Sequence, residues 1–230
     1  MNTPTSSLTH DTLDLWQVTL PDFFVHYEKY LSLLDENEQT RAAKFKFDIH
    51  RQRFVIARGI LRNILQNYTE TPAKEILLTS EPQKKPYLKN NPKKIEFNLS
   101  HSEDKMLCAI TLDNPVGVDI EKMRTECDLR IADRFFSASE NHLLSTLDND
   151  QKMKMFFQLW TAKEAIVKMT GKGLWTALNS FSVDPKKPSQ VVNIEETTCH
   201  VTCFSVDPEY ASALATEKEI QKISYFSEIE

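Results

Sequence analysis

Apolar residues recur along this chain with two spacings, alternate positions and every third or fourth position, which predict strands and helices respectively. Alternation at 12–20, closed by Pro21, predicts a first strand. Between residues 35 and 68 the spacing is helical, most clearly at Ala57, Ile60 and Ile64, and predicts a long helical region. The same reasoning predicts strands at 95–99, 106–112 and 116–121, helices at 131–136, 138–147 and 153–170, and short strands at 180–183, 191–194, 199–206, 211–216 and 222–226.

The order of these predicted elements suggests a duplicated architecture. A strand, a long helix and a pair of strands occur twice in similar order, and the two sets meet near Asn114 and Pro115. We therefore expect an α+β fold with an N-terminal lobe at 1–113 and a C-terminal lobe at 114–230. Two such lobes within one chain also suggest a monomer.

Composition and charge narrow the possible classes of protein. With 40% hydrophobic and 27% charged residues, the chain has the make-up of a soluble globular protein. No apolar stretch approaches the ~20 residues that cross a bilayer, and residues 1–10 lack the pattern of a signal peptide. We therefore expect a cytoplasmic protein with no membrane partner. The net charge of −5 gives no support for a nucleic-acid partner.

Three carboxylates and a lysine form the first candidate site. In the predicted strand 116–121, Asp119 and Glu121 project from one face because side chains alternate along a strand. In the predicted helix 153–170, Glu164 and Lys168 are four residues apart and share a face. Carboxylate oxygens suit a hard cation such as Mg²⁺, which takes its other ligands from water and substrate phosphates. Taken one segment at a time, these residues are equally well explained as surface charges.

A second candidate site lies at Ser100, His101 and Ser102, which we expect to form a turn after the strand 95–99. A strand that ends in Ser-His-Ser offers hydroxyls, an imidazole and free backbone N–H groups to phosphate oxygens. The alternative is that His101 is an ordinary hydrogen-bonded turn residue.

Together these segments resemble the 4′-phosphopantetheinyl transferases of the surfactin-synthetase-activating type. The motifs that carry the resemblance are Arg-Phe-Val-Ile-Ala-Arg-Gly at 53–59, Asn-Leu-Ser-His-Ser at 98–102, Gly-Val-Asp-Ile-Glu at 117–121, and Trp-Thr-Ala-Lys-Glu-Ala-Ile-Val-Lys at 160–168 with Gly-Lys-Gly-Leu at 171–174. The order of the motifs also matches, and the resemblance as a whole covers the chain from about residue 36 to residue 174. The resemblance implies two similar α/β lobes in a pseudo-twofold arrangement, with the active site in the cleft between them.

The resemblance also implies a reaction. The phosphopantetheine arm of coenzyme A would pass to a serine of an apo acyl or peptidyl carrier protein, with release of adenosine 3′,5′-bisphosphate. In the family's terms the metal ligands are Asp119, Glu121 and Glu164, the catalytic residues are Glu164 and Lys168, and the contacts to coenzyme A are Arg41, Arg53, Lys85, Ser100, His101 and Lys168. Whether Glu164 is the general base or only a Mg²⁺ ligand stays open.

Several positions depart from the family pattern or fit other readings. Lys84 stands where the loop before Pro86 usually has glycine, and Glu38 stands where some relatives carry a basic residue for the 3′-phosphate. Lys163 is expected on the helix surface or as a secondary phosphate contact.

The alternative functions are a Mg²⁺-dependent nuclease, which also uses an Asp-x-Glu strand, and a non-catalytic carrier-binding protein.

Overall fold

The chain alternates strands and helices, and its computed structural model describes residues 8–79, 85–171 and 177–227. Within these ranges the elements are β1 (Thr12–Thr19), α1 (Tyr27–Leu33), α2 (Glu36–Ala43), α3 (Asp48–Thr69), β2 (Leu78–Thr79), β3 (Tyr87–Leu88), β4 (Ile95–Ser102), β5 (Lys105–Leu112), β6 (Val116–Lys122), α4 (Arg130–Phe135), α5 (Ala138–Ser145), α6 (Asn149–Thr170), β7 (Ser189–Ile194), β8 (Thr197–Phe204), β9 (Tyr210–Thr216) and β10 (Lys222–Phe226). None of these helices has the length and apolar composition needed to cross a bilayer.

Two four-stranded sheets repeat one topology, which confirms an α+β fold of two similar lobes. In the N-terminal half, β1 pairs antiparallel with β5, the last strand of that half, and β5 pairs with β4. In the C-terminal half, β6 pairs antiparallel with β9, which pairs with β8, and β7 closes the sheet. A 22-residue helix, α3 or α6, follows the first strand of each half. The exception is β10, which leaves the C-terminal half and pairs in parallel with β1.

A buried cation ties the elements of the N-terminal half together. The carboxylate of Glu38 closes a capping box with Asp35 at the start of α2. It accepts a 2.6 Å hydrogen bond from Nη2 of Arg62 on α3, whose side chain is fully buried. Arg62 also donates to the carbonyls of Ala73 and Ile76, in the segment that follows α3. Glu38 therefore has a structural role, as the acidic partner of the buried Arg62.

The C-terminal half contains the equivalent arrangement. Glu140 closes a capping box with Ser137 at the start of α5, and its Oε2 lies 2.8 Å from Nζ of Lys163 on α6. Lys163 also donates to the carbonyls of Leu178 and Phe181, after α6. The prediction that Lys163 lies on the helix surface is wrong. Its ammonium is fully buried because an acidic partner and two carbonyl oxygens replace the water it loses.

The two sheets face each other across a shared apolar layer. Leu13 and Leu15 of β1 pack in one cluster with Val118 and Ile120 of β6 and with Leu214 of β9. These side chains occupy alternate positions of their strands and therefore point from one face of each sheet. The layer fixes the two lobes against each other, and on β6 it leaves the odd-numbered residues to point the other way.

The predicted helical region at 35–68 is confirmed, and it consists of two helices, α2 and α3, separated at 44–47, where the Phe45 ring packs against Phe54 with their centroids 5.3 Å apart. Two other local predictions are wrong. Residues 100–102 belong to β4 and pair with β5, so they extend the strand and form no turn. Residues 180–183 form no strand. Lys84 and residues 172–174 lie outside the described ranges.

Candidate active site

The candidate site lies where β4, at the edge of one sheet, runs beside β6, at the edge of the other. Side chains of β4 bridge the two strands. The Asn98 Oδ1 accepts a 2.8 Å hydrogen bond from the Val118 N–H, and the Ser100 hydroxyl donates to Oδ1 of Asp119 at 2.8 Å. Because alternate residues of a strand share a face, the polar residues of β4 meet β6 in register. We call this the β4–β6 junction.

Gly117 allows α6 to lie directly against β6. A Cβ atom at this position would be 2.0 Å from the Ala165 carbonyl oxygen and 2.4 Å from the Met169 backbone nitrogen. Both are backbone atoms of the helix, so no side chain can be accommodated without moving it. This close approach brings Lys168, on the last turns of α6, to Asp119, two residues beyond Gly117 on the same face of β6.

Lys168 connects the helix to both strands of the junction. Its Nζ lies 2.6 Å from Oδ1 of Asp119, 3.0 Å from Oγ of Ser100 and 3.3 Å from the Val118 carbonyl oxygen. Its side chain is 26% exposed, whereas that of Asp119 is 4% exposed. The ammonium therefore sits at the surface of the site with one side open to a ligand.

Two carboxylates lie close enough to Asp119 for its charge to affect their ionisation, those of Glu121 and Glu164. Burial raises the pKa of Glu164, and the negative charges of Asp119 and Glu121 raise it further while Lys168 opposes the shift. Burial likewise raises the pKa of Glu121, with a hydrogen bond from Ser102 opposing it and Asp119 adding to it. The cluster thus holds more negative charge than its one lysine balances.

The cluster fits a divalent cation by its donor chemistry. Oδ2 of Asp119 is buried, and no donor in the described part of the chain reaches it. A buried carboxylate oxygen without a partner is costly unless a cation or a water satisfies it. Across residues 8–79, 85–171 and 177–227, no three His, Cys, Asp or Glu side chains are already arranged around a common point. Asp119 instead holds Lys168, so a cation would have to share this carboxylate with the lysine.

His101 points away from the carboxylates toward a group of cations. Its ring is solvent-exposed, yet partial desolvation by the surrounding protein lowers the pKa of His101. The positive charges of Lys168, Arg53, Arg41 and Arg58 lower it further. The imidazole is therefore neutral near pH 7, and it lies in a region of positive potential that favours an anionic ligand.

Two of these arginines are held in different ways. Arg53 is anchored, because its Nε and Nη2 both donate to Oδ1 of Asp104, at 3.1 and 2.7 Å. Arg41 is exposed and lies over the Phe54 ring, 5.1 Å from its centroid. Of the two, Arg41 has the guanidinium that is better placed to accept a new anionic partner.

Lys85 is the one predicted contact that the structure places apart from the others. Its Nζ donates to the Val116 carbonyl at 3.0 Å and lies 3.8 Å from Oε2 of Glu96, at the start of β6 and β4. Burial lowers the pKa of Lys85, and the charge of Glu96 opposes that shift. Lys85 therefore closes one end of the β4–β6 junction, at the Val116 carbonyl. Lys168 contacts the Val118 carbonyl, two residues further along the same strand.

Two residues of the site were not predicted as functional from the sequence. Asn98 stands two positions before Ser100 on β4, so the alternating polar pattern was the available signal. Arg58 adds to the positive charge around His101. Its signal was weaker, since the basic residues of this helical region are spread around the helix.

A cavity of about 400 Å³ lies in the C-terminal half, between α6 and the strands β8 and β9. It begins at Met123, two residues beyond Glu121, and none of the three carboxylates lines it. Its walls include Gln158 of α6, Cys203 of β8 and Tyr210 of β9. Polar and apolar side chains are mixed in its lining.

The fold is a two-lobed α+β architecture, and polar side chains of both lobes meet at the β4–β6 junction. Two family models match the chain: "4′-phosphopantetheinyl transferase, N-terminal" over residues 16–112 and "4′-phosphopantetheinyl transferase superfamily" over residues 115–223. The chain belongs to the 4′-phosphopantetheinyl transferase superfamily. It is therefore a transferase, and this decides against the nuclease considered from the sequence.

Relatives in several bacteria support the assignment. The transferase HetI of Nostoc sp. is 37% identical over 174 residues, which cover 74% of this chain and 73% of the relative. The transferase psf-1 of Bacillus pumilus is 35% identical, covering 85% and 80%. The transferase Sfp of Bacillus subtilis is 31% identical, covering 86% and 91%. The predicted resemblance to transferases of the surfactin-synthetase-activating type is thus confirmed.

Proposed function

We propose that this protein transfers the 4′-phosphopantetheine arm of coenzyme A to a serine of an apo carrier protein, with Mg²⁺ held by Asp119, Glu121 and Glu164. The observation that carries the metal assignment is the buried, unpartnered Oδ2 of Asp119, beside two further carboxylates. A bound Mg²⁺ would supply positive charge to the pyrophosphate oxygens. The protein residues perform the remaining steps.

The reaction forms one phosphorus–oxygen bond and breaks another. The serine oxygen of the carrier attacks the β-phosphorus of coenzyme A, and the bond from that phosphorus to the bridging oxygen breaks. Adenosine 3′,5′-bisphosphate leaves with the bridging oxygen and its electron pair. The serine loses a proton in the same process, so the site needs a base near the attacking oxygen and positive charge near the leaving one.

We assign the base to Glu164. Burial and the neighbouring carboxylates raise its pKa, which makes its ionised form a stronger base than an exposed glutamate. It lies one turn of α6 before Lys168, so the two groups face the same space from adjacent turns. The serine proton would move to a carboxylate oxygen of Glu164.

The positive groups hold the pyrophosphate and the nucleotide. Lys168 would exchange part of its contact with Asp119 for a phosphate oxygen, which places its charge where the leaving group develops negative charge. Ser100 already contacts that ammonium at 3.0 Å and holds it at the junction. Arg41 and Arg53, near His101, would receive the phosphates of the nucleotide.

The cavity that begins at Met123 would receive the pantetheine arm, which is an extended chain with two amide groups. We further propose that the protein acts as a monomer, because both lobes of one chain contribute to the site. A cytoplasmic location is supported by the free thiols of its four cysteines.

Mass spectrometry of carrier proteins tests the proposal. Purified apo carriers of the fatty-acid, polyketide and peptide types would be incubated with the protein, coenzyme A and MgCl₂. We expect at least one to gain the mass of a single phosphopantetheine group, and chelation by EDTA to stop the gain. Asp119→Asn should bind coenzyme A and fail to transfer. If no carrier gains mass, the proposed activity is wrong; if EDTA has no effect, only the metal assignment is wrong.

A further inference from the structure

Ser102 has no part in the reaction described above, although it contacts one of the proposed metal ligands. Its hydroxyl donates a 2.7 Å hydrogen bond to Oε2 of Glu121 and accepts a 3.1 Å hydrogen bond from the Lys122 backbone N–H. The residue is 8% exposed. A nearly buried hydroxyl held at two points has little freedom to rotate.

The chemistry of the two partners decides which atom donates in the hydrogen bond between Ser102 and Glu121. A backbone N–H can only donate, so the Ser102 oxygen must accept from Lys122. The hydroxyl has one hydrogen, and the ionised carboxylate of Glu121 can only accept it. The hydrogen therefore points at Oε2 of Glu121, and among the described residues Ser102 is the one hydrogen-bond donor that reaches this carboxylate.

This contact crosses from one lobe to the other. Ser102 ends β4 in the N-terminal sheet, whereas Glu121 and Lys122 lie on β6, and the two strands share no ladder. Asn98 and Ser100 make the parallel contacts to Val118 and Asp119 further along the junction. The orientation of Glu121 relative to Asp119 is thus set by a side chain that the other sheet holds in place.

We propose that Ser102 is a positioning residue that orients the Glu121 carboxylate for metal binding. It acts through Glu121 and touches neither coenzyme A nor the carrier. The inference rests on the proposed function, since it concerns how the proposed Mg²⁺ site is held. Residues that orient metal ligands typically contribute about 10- to 100-fold to metal affinity.

Magnesium dependence tests the inference in two ways. The first measurement is the MgCl₂ concentration that gives half-maximal transfer, and the second is the rise in Tm that MgCl₂ produces with coenzyme A present. For Ser102→Ala we expect the half-maximal concentration to rise about 10-fold or more, with KM for coenzyme A nearly unchanged. The Mg²⁺-dependent rise in Tm should shift to higher concentration by the same factor. Ser102→Thr, which keeps the hydroxyl, should restore both values.

A matched control separates positioning from general loss of a buried hydrogen bond. Thr111→Val removes a fully buried hydroxyl that donates to the Asn114 carbonyl at 2.6 Å, away from the carboxylates. It should leave the Mg²⁺ dependence at the wild-type value. If Ser102→Ala and Thr111→Val give the same Mg²⁺ dependence, Ser102 has no positioning role.

Two further outcomes are distinguished by the same experiment. If Ser102→Ala does not fold, Ser102→Cys replaces it, since a thiol is a weaker donor and should give a smaller shift in the same direction; an unshifted Cys variant would overturn the inference. If wild-type transfer needs no divalent cation, the metal part of the proposed function fails. A wild-type requirement for Mg²⁺ with an unshifted Ser102→Ala variant refutes the role of Ser102 alone.

Discussion

Replacing Gly117 by alanine should separate α6 from β6 and disable the site without unfolding the protein. A Cβ atom would lie 2.0 Å from the Ala165 carbonyl oxygen, and an ordinary contact needs at least 3.4 Å, so the helix must retreat by about 1.4 Å. Lys168 would retreat with it and lose its 2.6 Å contact with Asp119.

The loss of stability and the loss of transfer rate in Gly117→Ala can both be given a rough size. Forcing an extra carbon into a packed interior typically costs about 1–3 kcal/mol of unfolding free energy, and the clash with helix backbone places Gly117→Ala at the upper end. A displacement of about 1 Å at a reactive group can lower the rate about 100-fold. We therefore expect the rate of transfer to fall about 100-fold at saturating coenzyme A, in a protein that remains folded.

The assay compares Gly117→Ala with Gly59→Ala. In the control, the added Cβ would lie 2.7 Å from Cβ of Tyr30, where α3 packs on α1, away from the contact between α6 and β6. Urea unfolding should show a loss of stability in both variants, whereas the rate of carrier modification should fall only in Gly117→Ala. A wild-type rate for Gly117→Ala, or an equal fall in rate for both variants, would refute the inference that the close packing of α6 on β6 positions Lys168.

Three further substitutions test other parts of the structure. Lys163→Met should lower the unfolding free energy, measured in urea, by about 3–5 kcal/mol, because the buried Glu140 carboxylate loses its cationic partner. Adding Glu140→Leu should recover only part of this loss, because the backbone N–H groups of Ser137 and Val183 then lose their acceptor. Arg41→Ala should raise KM for coenzyme A but not for 3′-dephospho-coenzyme A, and equal increases would contradict a 3′-phosphate contact. Glu164→Gln should slow transfer at least ~100-fold and raise the metal-free Tm near pH 7, because burial raises the pKa of Glu164 and its ionised form opposes folding. That gain should disappear below about pH 4, where wild-type Glu164 is protonated in both states; a persistent gain would exclude this cause.

The carboxylate cluster could be predicted from the sequence because its geometry is mostly local. Alternation along β6 places Asp119 and Glu121 on one face, and the four-residue spacing on α6 does the same for Glu164 and Lys168. Only the close packing of α6 against β6 is non-local, and the missing side chain of Gly117 permits it.

The failures have non-local causes. Residues 100–102 were expected to form a turn, but they extend β4, and the hydroxyls of Ser100 and Ser102 bond to side chains of β6 in the other lobe. Lys163 was expected at the surface because lysine is rarely buried. Its partner Glu140 precedes it by 23 residues, and it becomes adjacent only after α5 packs on α6.

The two lobes put one shared arrangement to different uses. In each, an aspartate of the first strand bonds a side chain near the end of the long helix: Asp14 accepts from the Tyr68 hydroxyl at 2.8 Å, and Asp119 contacts Lys168 at 2.6 Å. In the N-terminal lobe the Trp16 indole also donates to Tyr68, and these buried aromatic rings seal the pair from solvent. In the C-terminal lobe a partly exposed lysine replaces the tyrosine, and acidic side chains surround the aspartate. The same backbone plan therefore gives a closed structural contact in one lobe and an accessible, charged site in the other, because only the second keeps groups that a phosphate or a cation can reach.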